Sequence, residues 1–230
     1  ACFIDSMASL ALPAHGCGIR YQYGLFEQKI LNGQQAEIPD DWLRDGFSWE
    51  FRKPNKSVQV RFGGNAYMRE NEDGSLSLAH EGYTEVTAVP YDVPVIGYKN
   101  KTVNTLRLWN AEANNDFSDY ASLSADEIRA RQDYRNWVNH ITEFLYPNDS
   151  TPDGKRLRLE QEFFFVSAGL QSIVRHYKLT HDDLYELGEK IGVHINDTHP
   201  AVAVAELMRI LVDENGMEWS DAWEITTQVM

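Results

Sequence analysis

The residues best suited to chemistry lie in the run Val193-His-Ile-Asn-Asp-Thr-His-Pro200, followed by Ala-Val-Ala-Val-Ala-Glu-Leu-Met-Arg-Ile-Leu211. A short apolar run over 191–195 reads as a strand, and the periodic run from Pro200 to about Asn215 reads as a helix, with Gly216 just past its end. The polar loop between them offers Asn196, Asp197, Thr198 and His199. In open α/β sheets ligands bind beyond the carboxyl ends of strands. Donors and acceptors of fixed direction at such a place suit a polyhydroxylated ligand such as a sugar. Pro200 suits a first helical turn, which makes Thr198 or His199 the expected cap. The same residues also suit a purely structural role, with His199 satisfying a buried carbonyl, and the segment alone leaves both readings open. A metal site built on His194, Asp197 and His199 has no standard ligand spacing and no cysteine to support it. Asp197 and His199 form no hydrolase triad, because the nearest nucleophile, Thr198, lies between them and no Gly-x-Ser-x-Gly elbow exists.

A second polar loop, Asn148-Asp149-Ser150, follows Pro147 and precedes Lys155, Arg156 and Arg158 at the start of the next helix. An acidic loop beside a guanidinium can gate an anionic ligand, although a solvated turn with helix-end charges explains the same pattern. Arg175-His176 is a basic pair at a helix C-terminus, favourable by the macrodipole alone. Neither phosphate-binding glycine pattern, G-x-x-x-x-G-K-[ST] or G-x-G-x-x-G, occurs; Gly16-x-Gly18 lacks the third glycine and follows a helix.

These segments need elements to position them. Residues 1–14 are expected to be helical, with Phe3, Ile4, Met7, Leu10 and Ala11 on one buried face. A strand is expected over 19–25, and an ordered, aromatic-packed loop over 32–57. Alternation predicts strands at Ser57–Phe62, Tyr67–Glu70, Thr84–Tyr91 and Thr102–Trp109, with Asp73-Gly74 as a turn and Pro90 and Pro94 bracketing a loop. After Trp109 the pattern becomes helical: Ala125–Leu145 capped by Ser124, about Leu157 to Tyr177, and a last helix from near Ser220 to Met230.

The 230 residues carry 21 Lys plus Arg against 35 Asp plus Glu, a formal net charge of -14. That acidity argues against a broad nucleic-acid or anionic-lipid surface and leaves room for a small basic pocket. With 43% apolar and 24% charged residues, the composition is that of a folded domain. Cys2 and Cys17 cannot make a disulfide framework and are expected to be buried, reduced thiols of a cytosolic protein. The most apolar run, Phe163–Val174, is interrupted by Ser167, Gln171 and Ser172 and reads as a buried helix, not a membrane span. Ala1–Ala14 lacks a basic n-region and contains Asp5, so it does not read as a signal peptide. A start at Ala1 in a helix without an N-cap is the pattern expected of a processed, trimmed or partial chain.

Several long segments in series resemble the glycogen/starch/maltodextrin phosphorylases. They are CFIDSMASLALPAHGCGIRYQYGLFEQKI, DDWL, PYDVPVIGY, VNTLRLW, LYPNDS, LRLEQEFFFVSAGLQSIVR and INDTHPAVAVAELMRILVD, in that family's order and near its spacing. The stretches Asp116–His140 and Leu179–Lys190 are less typical. The resemblance implies an α/β fold, namely part of the N-terminal Rossmann-like domain of a GT-B enzyme, with a β-rich insertion and long helices. One incomplete domain over 1–230 is then expected, without the family's upstream glycine-rich loop and its C-terminal domain.

The activity implied is phosphorolysis of terminal α-1,4-glucosidic bonds to α-D-glucose 1-phosphate, with α-1,4-glucan and inorganic phosphate as partners and pyridoxal 5'-phosphate as cofactor. The family uses the cofactor's phosphate in proton transfer, and its attachment lysine is not expected in this chain. The resemblance makes His199 a catalytic-site residue that touches the glucosyl unit, with Asp197 and Thr198 lining the same pocket. Asn148, Asp149 and Ser150 correspond to a mobile gate, with Ser150 replacing the asparagine of many relatives. Arg158 corresponds to an arginine near that gate. Arg175 matches one of two arginines that bind an allosteric phosphate in regulated members, and His176 replaces the other, which argues against nucleotide control. Ala125–Leu145 corresponds to a helix of the family's dimer interface. The implied setting is a cytoplasmic homodimer, with no nucleic acid, membrane or metal. A non-catalytic carbohydrate-binding or assembly module is the competing expectation, and a nucleotide-sugar GT-B transferase is a weaker third. The chain alone is expected to be inactive.

Overall fold

The computed structural model describes residues 2–114 and 122–230. Ala1 and residues 115–121, where the helical character after Trp109 is expected to begin, lie outside the described residues. Two compact units are formed, the first from 1–57 and 87–161, the second from 58–86 and 162–230.

In the first unit, strand β1 (His15–Ile19) pairs in parallel with β9 (Val103–Glu112), and β9 pairs antiparallel with β8 (Thr84–Ile96), whose residues from Thr87 onward belong to this unit. The two-residue strand β4 (Phe51–Arg52) adds antiparallel to the far side of β8. Both Pro90 and Pro94 lie inside β8, not in a loop. Pro90 O accepts from Lys53 N–H on the β4 side at 2.9 Å, so the N–H that proline lacks would face that side and not the long β9 ladder. Pro94 has the same parity and falls beyond the short β4. Across the ladder the register partners Asp92 and Arg107 make a bidentate pair at 2.7 Å, both half-buried.

Helix α1 (Cys2–Ser9) is shorter than the expected 1–14, and its chain leaves the helix through Ala11 at φ 58°. Asn100 and Asn104 tie its end to the sheet by donating to Ala8 O, Ser9 O and Leu12 O. Of the expected apolar face, Phe3, Met7, Leu10 and Ala11 are exposed and only Ile4 is half-buried, while Ala8 is fully buried. Ile4 lies over Gly16 of β1, where a Cβ would overlap its side chain. Helix α2 (Ala125–Ile141) packs on β9 through Val138 and Ile141. Its start is as expected: Ser124 accepts from Glu127 N–H, and Glu127 accepts from Ser124 N–H in return.

The expected strand over 19–25 is instead the end of β1 and the beginning of β2 (Gly24–Leu31). The expected loop from 32 contains a hairpin of β2 with β3 (Gln34–Asp40). Asn32 and Gly33, at φ 52° and 78°, make the tight turn that matches strand twist. The aromatic-packed part of that loop is Trp42 edge-on to Phe47, with Trp42 Nε1–H donating to Tyr21 O.

The second unit contains β5 (Val58–Phe62) and the hairpin of β6 (Asn65–Glu70) and β7 (Leu76–Glu81), closed at Asp73-Gly74 as expected. Helix α3 (Pro152–Tyr177) starts earlier than expected, and its residues from Glu162 onward belong to this unit. They pack with α4 (Leu187–Lys190), α5 (Ala203–Arg209), a π turn at Ile210–Glu214 and α6 (Trp219–Val229). The core holds Val166, Leu170, Val174, Leu187, Leu207, Leu211, Ile225 and Val229. Ala222, Ile225, Thr226 and Val229 recur at helical spacing and form the buried face of α6. Residues 191–195 are extended but form no strand, so the expected strand–loop–helix unit is absent. A bond from Val193 N–H to Val229 O holds this segment to α6 instead of to a sheet. No described helix is long and apolar enough to cross a membrane. Both cysteines are free and exposed, contrary to the expected burial.

Candidate functional site

The Asn196–Pro200 loop follows the extended segment and enters α5 through a turn. Ala201 N–H donates to Thr198 O and Ala203 N–H to Pro200 O. The α5 N-cap position is Val202, and no side chain caps it, so neither Thr198 nor His199 plays the expected cap role. Pro200 therefore lies in the turn that precedes α5 and does not start the helix. Asp197 sits at φ 69°, left-handed backbone that Asp tolerates better than most non-glycine residues. Its Oδ1 accepts from Thr198 N–H at 2.6 Å, which helps hold that conformation.

This bend places His199 between two carboxylates. Nδ1 lies 3.5 Å from Glu162 Oε1, and Nε2 lies 3.8 Å from Asp197 Oδ2. The imidazole and Glu162 are half-buried, and Asp197 is exposed. Both ring nitrogens therefore face a carboxylate, which restricts the orientations the ring can take. Such a group presents an oriented donor or acceptor to a hydroxylated ligand. The structure thus joins three sequence-singled residues, Asp197, Thr198 and His199, with Glu162, which the sequence reading missed. Its only signal was an acidic residue directly before the apolar run from Phe163, near the middle of a long helix. His194 is exposed.

The second candidate loop belongs to the first unit. Tyr146 at φ 56° turns the chain out of α2's trailing segment, whose Phe144 stacks on Tyr23 at 4.8 Å. Asn148 Oδ1 accepts from Ser150 N–H at 3.1 Å, folding Asn148, Asp149 and Ser150 into an exposed turn. Thr151 Oγ1 accepts from Gly154 N–H at 3.1 Å, and Pro152 follows as the first helical residue. A Cβ on Gly154 would overlap the carbonyl of Asn148, so glycine is what lets the loop lie on the first turn of α3. One turn further, the Arg158 guanidinium lies 5.8 Å from the Tyr146 ring centroid, at the edge of cation–π range. Lys155 and Arg156 are exposed, as are Arg175 and His176 in the last turn of α3.

A buried polar network in the second unit was also missed. Glu206 on α5, 2% exposed, accepts from Ser167 Oγ–H of α3 at 2.6 Å and from Arg209 at 2.7 and 2.9 Å. Burial opposes the charge of Arg209, but its bonds to Glu206 and Glu214 outweigh this and hold the guanidinium above its ordinary range.

A family model described as carbohydrate phosphorylase matches residues 1–230. The chain is 52% identical over 230 residues to glycogen phosphorylase of Bacillus subtilis, aligning 100% of itself with 28% of that protein. It is 48% identical over 229 residues to glycogen phosphorylase of Haemophilus influenzae, with 100% of the chain and 27% of the relative covered. For the brain form of human glycogen phosphorylase the identity is 47% over 234 residues, with 98% and 27% covered. The chain thus spans little more than a quarter of the length of the curated relatives it matches. Because the family match runs over every residue of a mixed α/β chain, the chain belongs to the carbohydrate phosphorylase family.

Proposed function

We propose that this chain supplies sugar-facing parts of an α-glucan phosphorylase, acting within a longer protein. The reaction is phosphorolysis of a terminal α-1,4-glucosidic bond by inorganic phosphate, giving α-D-glucose 1-phosphate. The observation that carries this reading is the family match across all 230 residues, with relatives named glycogen phosphorylase.

Within it, His199 with Asp197 and Thr198 faces the glucosyl unit, and the Glu162 carboxylate holds the ring in place. An imidazole fixed in this way needs no reorganisation as charge develops on the sugar. Asn148, Asp149 and Ser150 form a gate, with Arg158 beside it as an anion-attracting group. Two left-handed non-glycine residues, Asp197 and Tyr146, lie at these two loops, and such backbone recurs at ligand-binding positions. Arg175, exposed at the end of α3, is where the same reading puts an allosteric phosphate. The GT-B arrangement, a cytoplasmic setting and a homodimer using α2 belong to this proposal.

The family's cofactor, pyridoxal 5'-phosphate, supplies a phosphate for proton transfer when bound. Each lysine of this chain is exposed or half-buried, and none offers an enclosed amine for a Schiff base. The residues present do not fit that group, and its site is assigned to no residue here.

The test is shortening of maltodextrin by the intact natural protein, with and without inorganic phosphate. Phosphate-dependent release of single glucosyl units supports the reading. Binding of maltodextrin without shortening favours the assembly-module alternative.

A further inference from the structure

We infer that Glu206 is a positioning residue for His199, with Ser167 as its partner on α3. This inference rests on the sugar-site reading of His199 given above. Glu162 and Ser167 lie five residues apart on α3, and His199 and Glu206 lie seven apart on the loop and α5. The Ser167–Glu206 hydrogen bond of 2.6 Å closes a frame whose other closing contact is His199 to Glu162 at 3.5 Å. The two sides of the frame are stiff. One is continuous helix; the other is joined by turn bonds from Ala201, Ala203 and Glu206 N–H groups to Thr198, Pro200 and Val202 carbonyls.

The bond has a set direction. Gln171 Nε2–H donates to Ser167 Oγ at 3.0 Å while also donating to Gln59 O at 2.9 Å. The hydroxyl proton is thereby left to point at Glu206. Arg209 donates to both oxygens of the same carboxylate, holding it in one orientation. Burying such an ion pair is poor economy for stability, since apolar residues of similar volume often serve as well or better. What the pair adds over apolar packing is one defined register of α5 against α3. That register sets where His199 stands relative to Glu162.

The test uses the intact natural protein, its Ser167→Ala and Glu206→Gln variants, and a Leu184→Ala control in the core of the same unit. Ser167→Ala removes only the tie to α3. Glu206→Gln sets an amide against the Arg209 donors. Crystal structures of each variant give the His199–Glu162 separation, and kinetics give KM for maltodextrin separately from kcat. We expect the separation to lengthen in both variants, with KM raised by roughly tenfold, the equivalent of about 1.4 kcal/mol. Leu184→Ala should lower Tm and leave KM unchanged. An unchanged separation in Ser167→Ala and Glu206→Gln, or a KM that moves as much in Leu184→Ala, overturns the inference. Should Glu206→Gln fail to fold, Ser167→Ala decides. Absence of phosphorolysis in the unaltered protein sinks the functional reading, while the separations still decide whether Glu206 positions His199.

Discussion

His199 Nδ1 stands 3.5 Å from Glu162 Oε1, although 37 positions separate the two residues in the chain. That contact converts a loop histidine into an oriented one. Glu162→Ala frees the ring to rotate, while Glu162→Gln keeps an acceptor on Nδ1. We expect Glu162→Ala to weaken glucan binding by up to about 1 kcal/mol, the range of a partly exposed charged contact, and Glu162→Gln to lose less. Steady-state KM values for maltodextrin check this, with Tm expected to change little because Glu162 is only half-buried.

Gly154→Ala places a methyl group where the Asn148 carbonyl now lies. Either the Asn148–Ser150 turn lifts off α3 or the first turn of α3 shifts. A destabilisation of about 1–3 kcal/mol is expected from such overpacking. Chemical denaturation measures it, and faster limited proteolysis at 148–150 reports the displaced turn.

Ser124→Ala removes the side-chain half of a reciprocal cap, and about 1 kcal/mol should be lost. Ser124→Asp keeps an acceptor at the same place and should lose much less. Hydrogen exchange of the first-turn amides of α2 distinguishes the two.

Burial holds the Asp213 carboxyl above its ordinary range, partly opposed by the Arg209 charge. A raised folded-state pKa means the folded protein binds the proton more tightly than the unfolded chain. Its contribution is therefore best below the ordinary carboxylate range and is lost as pH rises through the raised value. Asp213→Asn should stabilise the protein at neutral pH by no more than about 0.5 kcal/mol, because the group is largely solvent-screened. The advantage should vanish as pH falls below about 3.9, the ordinary value for Asp. Thermal unfolding of both forms across pH measures the difference.

Local signals made parts of this architecture legible. The Ser124 cap, the Asp73-Gly74 turn, the alternation of β5 and the helical spacing of α6 each depend on neighbours in sequence. Pro90 and Pro94 misled because a proline is tolerated where its missing N–H faces a sheet edge, and pairing partners are not written locally. The β2–β3 hairpin was signalled by Asn32-Gly33 but obscured by glycines and prolines around it. Residues 191–195 have the composition of a strand, yet their hydrogen bond goes to α6. At the candidate site, Asp197, Thr198 and His199 stood out as a polar cluster between apolar runs. Glu162, Ser167 and Glu206 did not, because their roles arise from α3 meeting α5 and no spacing along one segment encodes that meeting.

Phosphorus NMR of the intact protein, purified from its native source and mixed with maltodextrin and inorganic phosphate, tests the central claim most directly. The account predicts that the phosphate signal declines as one from α-D-glucose 1-phosphate grows, and that the 230-residue chain alone produces none. An intact protein that binds maltodextrin and leaves the phosphate signal unchanged would contradict it.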